Sequence, residues 1–339
     1  MAMERVSVVF PVWNEAENLP VLYERVREAC WQAAVAYEMI FVDNGSTDRS
    51  LDAIKSLAQQ DRGVRYISLS RNFGHQGALF AGMSHATGQA VITMDADLQH
   101  PPGLLPEMVA LWRSGIEVVY TTKRNANLPW PKSLVVKLFY WFISMMSGIE
   151  LDFGLSDFRL LDRKVADVVL RIPEYHKFLR GQVKWVGFRQ QGLSYDVEPR
   201  LSGRSKFSYR NLFAFALDGL FAFSRYPLRL VTVMGCLVAV VSLLYMAYVF
   251  CLGVVNVLDI GPYRKWPPGW ATLAMTILFL GSTQLVAIGI VGEYIGRVYD
   301  QTKGRPVFIV REASRAADHE AEARDPVRGA GEPFAALDG

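Results

Sequence analysis

The chain has 339 residues, room for one large domain or two ordinary ones, and 51% of them are apolar. A formal net charge of +3, with no basic stripe interleaved with stacking aromatics, argues against a nucleic-acid partner. The three cysteines, Cys30, Cys236 and Cys251, show neither metal-ligand spacing nor a disulfide framework, and two of them lie in apolar runs where a thiol acts as a small hydrophobe.

In chain order, Val6–Val12 reads as a buried strand, and Asn14–Asn18 opens a helix to about Ala36 with Leu19, Leu22, Val26 and Ala29 at helical spacing. Glu38–Asp43 is a second strand, and the turn-rich Asn44–Asp48 caps a helix from Arg49 to about Gln60. Val64–Leu69 is a third strand, and a helix from Gly77 to about Ala86 leads into the apolar run Ala90–Met94. A helix near Leu104–Arg113 and a strand at Glu117–Thr122 follow. Strands alternating with helices predict an α/β fold with a parallel, doubly wound sheet, which binds ligands beyond the carboxyl ends of its strands. The polar residues at those ends are Asn14 and Glu15, Asp43, Arg71 and Asn72, and Asp95, Asp97 and Gln99.

The stretch from Asp95 to Pro102 carries the most chemistry. Residues two apart share one face of an extended chain, so Asp95, Asp97 and Gln99 could present oxygen to one point before Pro101 and Pro102 stop the strand. Hard oxygen ligands at a strand end suit Mg2+ or Mn2+ held against a diphosphate. A D-x-D triplet also arises by chance, and helix capping alone accounts for Asp43, Asn44 and Ser46; neither explains four successive strand ends with polar chemistry. No G-x-G-x-x-G follows the first strand and no Walker lysine loop occurs, which argues against dinucleotide oxidoreductases and P-loop enzymes.

The order F-P-V-W-N-E (Phe10–Glu15), V-D-N-G-S-T-D (Val42–Asp48), S-R-N-F-G-H-Q-G-A (Ser70–Ala78) and M-D-A-D-L-Q-H-P-P (Met94–Pro102) resembles the family-2, GT-A-fold glycosyltransferases. More narrowly it resembles the polyprenyl-phosphate glycosyltransferases, the group of bactoprenol glucosyltransferases and dolichol-phosphate mannose synthases. The likeness continues through S-D-F-R-L-L-D-R (Ser156–Arg163), F-L-R-G-Q-V-K-W-V-G-F (Phe178–Phe188) and G-R-S-K-F (Gly203–Phe207). It implies a Rossmann-like mixed, mainly parallel sheet and transfer of a sugar, with UDP-glucose the expected donor, onto a polyprenyl phosphate with inversion. It further implies that Pro11, Asn14, Glu15 and Asp43 line a nucleotide pocket, that Asp95 meets the nucleotide end, and that Asp95, Asp97 and Gln99 hold the metal. Arg124 matches a phosphate-contacting position, Asp157 an acidic position serving the acceptor reaction, and Arg200, Arg204 and Lys206 a basic loop closing over the site; Lys132 joins the acceptor-phosphate set. Asp157 as a structural partner of Arg159 or Arg163 is the competing reading. Two departures stand out: Ser156 where relatives often carry glycine, and Trp141 after Tyr140 where an arginine is common.

The remaining chain points to a bilayer. Pro131–Ile149 is apolar but broken by Lys132 and Lys137, which suits an interfacial or core helix, and Phe207–Ser224 carries Phe213, Leu217, Leu220 and Phe221 at the spacing of an amphipathic surface helix. Leu230–Leu258 and Trp266–Gly292 contain no charge, and each is long enough to cross a core about 30 Å thick. Arg225 and Arg229 before the first span, with Arg297, Lys303 and Arg305 after the second, put both termini on the cytoplasmic side. The expected organisation is a cytoplasmic catalytic domain over 1–206, interface helices over 207–227, a two-helix transmembrane hairpin over 228–298 (spans near 230–255 and 268–292), and a tail over 299–339 disordered after 311. Arg305–Val310 reads as a short strand returning to the domain. The chain begins directly in a strand-like run with no signal peptide, consistent with a multi-pass protein of the plasma (inner) membrane. The resemblance adds a homo-oligomer, a tetramer, as the expected assembly. Two rival readings are a processive polysaccharide synthase, whose Q-x-x-R-W motif Gln182–Trp185 misses, and a non-catalytic scaffold or lipid carrier, which the intact Asp95, Asp97 and Asp157 disfavour.

Overall fold

The computed structural model describes residues 3–123, 155–196, 226–257 and 270–314. The elements are β1 (Arg5–Val12), α1 (Leu19–Gln32), β2 (Ala36–Asp43), α2 (Ser50–Gln60), β3 (Val64–Leu69), α3 (Gly74–His85), β4 (Ala90–Thr93), a single 3-10 turn at Pro102–Leu104 running into α4 (Leu105–Arg113), and β5 (Val118–Lys123). Then come β6 (Leu155–Asp162), α5 (Arg163–Arg171), α6 (Leu179–Trp185), β7 (Gln190–Tyr195), α7 (Tyr226–Val257), α8 (Trp270–Thr302) and β8 (Val310–Ala313). The expected residues Arg124, Lys132, Arg200, Arg204 and Lys206, the segment 131–149, the helix 207–224 and the tail after 314 lie outside the described residues.

The eight strands form one sheet in the order β7-β5-β6-β4-β1-β2-β3-β8. β4, β1, β2 and β3 run parallel, as their alternation with helices predicts. Beyond them β6 inserts antiparallel between β4 and β5, which gives the mixed, mainly parallel sheet that the family resemblance implies. Strand residues alternate between two cores because successive side chains point to opposite faces. Val8, Phe10, Met39 and Phe41 pack with α1, α2 and α4 on one face. Val9, Ile40 and Val42 pack with α3, α5 and α6 on the other.

Helix α3 lies close on its face of the sheet. A Cβ at Gly82 would stand 2.2 Å from Val9 Cγ1 and 3.0 Å from Val42 Cγ2. Gly82→Ala is therefore expected to destabilise the domain by about 1–3 kcal/mol through overpacking, read as a lower urea midpoint at unchanged slope.

Three element boundaries differ from the sequence reading. Helix α1 begins at Leu19 rather than near Asn14, because Asn14 takes a left-handed φ of 57° that no helix continues. Helix α3 begins at Gly74, three residues before the expected Gly77. The returning strand starts at Val310, not Arg305, and pairs antiparallel with β3. Ser70 N donates to Ile309 O at 2.9 Å, Arg311 Nη2 donates to Ser70 O at 2.7 Å, and Lys55 pairs with Glu312 at 2.6 Å.

The described residues divide into two units, the sheet with α1–α6 and β8, and the helix pair α7 and α8. Leu237, Leu244 and Leu285 on these two helices are exposed. Among the described residues one stretch, Phe279–Thr302, is long and apolar enough to cross a membrane, and Val231–Tyr245 is a shorter apolar helical run. Of the two expected spans, the second thus has a counterpart, displaced toward the carboxyl end.

Candidate active site

The site assembles at the carboxyl ends of β1, β2, β3 and β4, where the loops after the first three are tied to one another. Asn14 N donates to Ser46 Oγ at 3.1 Å, and Asn14 Oδ1 accepts from Thr47 N at 2.8 Å. Glu15 N donates to Ser50 Oγ at 2.9 Å, while Glu15 Oε2 accepts from Asn18 Nδ2 at 2.7 Å. Asp43 is buried and accepts from Ser46 N and Ser68 Oγ, each at 3.0 Å. Asn44 Oδ1 accepts from Phe73 N at 2.9 Å, and its amide donates to Gly74 O at 3.1 Å. Gly45, at φ +70°, allows this approach: a Cβ there would lie 2.8 Å from Arg71 C. Pro11 sits across from Val42, one residue before Asp43, so it stands at the same strand ends as these loops.

The D-x-D stretch corrects one sequence expectation. Strand β4 stops at Thr93, so Asp95, Asp97 and Gln99 do not lie along an extended strand. The chain turns instead, with Leu98 at φ 60°. The alternation nevertheless survives: Met94, Ala96, Leu98 and His100 are buried, and the three oxygen-bearing residues between them are half-buried. The apolar anchors hold the loop down and leave the polar members facing outward. Asp97 Oδ1 accepts from Gln99 N at 3.1 Å.

His100 supports the loop from below. Its Nδ1 accepts the Asp95 N–H at 3.0 Å, which places the ring proton on Nε2, 2.7 Å from Ser156 Oγ. Burial holds its pKa below the ordinary imidazole value. The ring stacks on Phe158 at 5.3 Å, and Tyr195 donates its hydroxyl to Ser156 Oγ at 3.3 Å. Ser156 thus joins His100 to Tyr195.

Asp95 Oδ1 is buried without a hydrogen-bond donor. A buried carboxylate oxygen with no hydrogen bond among the described residues, approached by His75 Nε2 at 3.5 Å and followed in the same turn by a second carboxylate and an amide, is chemistry a hard divalent cation takes. Among the described residues no group of three or more His, Cys, Asp or Glu forms a closed metal cage. Asp95, Asp97 and Gln99 fit an ion that keeps positions open for water and phosphate.

Asp157 at the start of β6 is 7% exposed. Arg180 grips it as a fork, Nε to Oδ1 at 2.8 Å and Nη2 to Oδ2 at 2.8 Å. His75 Nε2 stands 3.4 Å from Asp157 Oδ2 and 3.5 Å from Asp95 Oδ1, and Arg159 Nη2 lies 3.9 Å from Asp157 Oδ1. Burial pushes the Asp157 carboxyl up, but the Arg180 charge and the His75 hydrogen bond outweigh it and hold the group well below the usual carboxylate range. Arg163, offered by the sequence as a partner, instead donates to Gly88 O at 2.9 Å and Ala86 O at 2.8 Å. The sequence reading did not single out Arg180 or His75. The available signal was their place inside two of the quoted motifs.

Burial pulls the His75 imidazole down, yet the Asp95 and Asp157 carboxylates raise it to about 9. The ring is 42% exposed, so solvent screens part of this attraction. In metal-free protein His75 is expected to titrate by NMR well above the free imidazole value of about 6.5. The attraction it supplies is complete below that value and fades as pH rises through about 9. Titration at or below the free value would contradict its contact with both carboxylates.

Residues 7–169 match glycosyl transferase family 2, and residues 226–298 match the GtrB C-terminal hairpin. A glycosyltransferase of Synechocystis sp. is 40% identical over 90% of this chain and 94% of that protein. The chain belongs to glycosyl transferase family 2. This family-2 glycosyltransferase is also 39% identical to a glycosyltransferase of Bacillus subtilis, over 91% of this chain and 93% of that one. The bactoprenol glucosyl transferase of Shigella phage SfII is 37% identical over 92% of this chain and 99% of that one. The family-2 match contains all four motifs of the strand-end loops together with Asp157, and the hairpin match covers α7 and most of α8.

Proposed function

We propose that this glycosyltransferase moves glucose from UDP-glucose onto a polyprenyl phosphate at the cytoplasmic face of the plasma membrane, with inversion. The observation that carries this reading is its likeness along nearly the whole length to bactoprenol glucosyl transferases, hairpin included. Pro11, Asn14, Glu15 and Asp43 hold the nucleotide, and Asp95, Asp97 and Gln99 hold Mg2+ or Mn2+. A divalent cation bound there neutralises charge on the departing diphosphate. Arg124, Lys132, Arg200, Arg204 and Lys206, outside the described residues, are assigned to the donor and acceptor phosphates. Both long helices cross the bilayer, the termini stay in the cytoplasm, and copies associate as a homo-oligomer. An anchored site meets a membrane-dissolved isoprenoid at high effective concentration.

A phosphate monoester is largely dianionic at neutral pH, its second pKa being about 6. One of its oxygens forms the new bond to C1 of the sugar. The C1–O bond to the diphosphate breaks, and its electron pair stays on the diphosphate, so no proton has to move.

The test incubates the purified full-length protein with radiolabelled UDP-glucose, UDP-galactose or GDP-mannose and a short polyprenyl phosphate, with and without chelator. Lipid-extractable label from UDP-glucose alone, lost with chelator, is expected. Polymeric product would favour a processive synthase, against which Gln182 already argues, since it is buried with its amide donating to Glu174 at 2.8 Å. No turnover of any donor would indicate a scaffold.

A further inference from the structure

We propose that Asp157 is a positioning residue rather than a general base, and that the group it aims, Arg180, binds the acceptor phosphate. The inference rests on the lipid-phosphate reading above. Both Asp157 oxygens are already engaged, each by one arm of the Arg180 fork at 2.8 Å. A planar guanidinium held this way has its orientation fixed as well as its charge. His75 and Arg159 stand close on other sides, so the carboxylate faces three cations. Proton abstraction there would break two charge-assisted hydrogen bonds to neutralise a group its surroundings keep charged, in line with its depressed pKa. A phosphate dianion offers no proton for it to take.

The two members of the pair differ in what they present. The Asp157 side chain is 8% exposed and that of Arg180 is 22% exposed, so the arginine is the outward-facing partner. Its helix is pinned at the first turn, where Leu179 N donates to Gln76 Oε1 at 3.0 Å. Gln76 follows His75 in α3, so one joint between α3 and α6 sets both cations against Asp157. Asp157 is further tied down by its backbone, its carbonyl accepting from Thr93 Oγ1 at the end of β4. A buried acid anchored by sheet and helix, holding an arginine at the rim, is the arrangement that aims a cation at an incoming anion.

The experiment measures acceptor and donor kinetics for the full-length protein and for Asp157→Asn, Arg180→Lys and the double variant, with melting curves for each. Each single variant is expected to raise the acceptor KM about tenfold to a hundredfold, the effect of weakening a charged hydrogen bond, with the donor KM changed by less than about threefold. The double variant should lose no more than the worse single one, because both act through one fork. Formate or azide should restore nothing. The inference is overturned if Asp157→Asn lowers kcat at an unmoved acceptor KM, if small bases rescue it, or if Arg180→Lys keeps the native acceptor KM. Should Asp157→Asn fail to fold, Arg180→Lys decides the matter by itself. Wild-type protein that forms no glycolipid overturns the functional reading and this inference together, whereas active wild type with unmoved acceptor constants overturns only the inference.

Discussion

Asp97→Asn is expected to lower glycosyl transfer by about three orders of magnitude, the upper range for loss of one electrostatic stabiliser of a departing anion, while the fold stays intact. Asp97 lies half-buried in the turn after β4, and its Oδ1 accepts from Gln99 N at 3.1 Å. An asparagine keeps that acceptor oxygen, so the turn and the buried anchors Ala96 and Leu98 on either side are preserved. What disappears is one negative charge of a two-carboxylate corner. Mn2+ affinity, followed by electron paramagnetic resonance without substrate, should fall together with turnover while the circular dichroism spectrum is unchanged. Undiminished turnover would remove Asp97 from the metal site.

The largest stability effect is expected at Glu38. Its Oε2 accepts from Ser7 Oγ and from Thr87 N at 2.9 Å, and its Oε1 pairs with Arg65 Nη1, with both side chains 8% exposed. Ser7 Oγ in turn accepts from Gly88 N at 2.8 Å, so the pair ties β1, β2, β3 and the turn before β4 together. Glu38→Gln leaves a buried guanidinium without its counter-charge, a change that costs about 3–5 kcal/mol. That is a large part of the roughly 5–15 kcal/mol by which domains are stable. Urea denaturation reads it directly, and replacing Glu38 and Arg65 together by methionine should recover only part of the loss, since no charge is then stranded but Ser7 Oγ and Thr87 N lose their acceptor. Burial raises the Glu38 pKa, but the hydrogen bonds from Ser7 and Thr87 and the Arg65 charge bring it below the ordinary 4.5. A carboxylate depressed on folding contributes stability above its unfolded pKa and loses it as pH falls through the folded one. The acid-unfolding midpoint should therefore rise in pH if Ser7 is changed to alanine.

Much of this architecture was legible in the sequence. Apolar runs of β-branched residues marked β1 to β4, and the polar residues closing each run marked the ligand-binding edge. The antiparallel strand β6 was not legible, because its partners β4 and β5 are far away along the chain and Leu155–Asp162 carries charged residues that look like a loop. Those charges are the reason for the strand: it delivers Asp157 to the site and buries Arg159 behind it. The end of β4 at Thr93 was missed for a different reason. The alternation of Met94, Ala96 and Leu98 with Asp95, Asp97 and Gln99 imitates a strand, and a leucine gives no warning of a positive φ. His75 and Arg180 escaped notice because their importance lies in a meeting between residues of α3, β4, β6 and α6 that linear spacing does not encode.

The strand β8 sets an order on how the molecule is made. It is the last described element to leave the ribosome, after both long helices, and it seals the outer edge of β3. Until it arrives, β3 offers unpaired amides and carbonyls to any passing strand. Nascent catalytic domain is therefore complete only after the apolar helices have been synthesised, and a shortened chain ending before residue 305 keeps that seam open for good. Such a fragment should self-associate, and a synthetic peptide spanning residues 305–314 should suppress it.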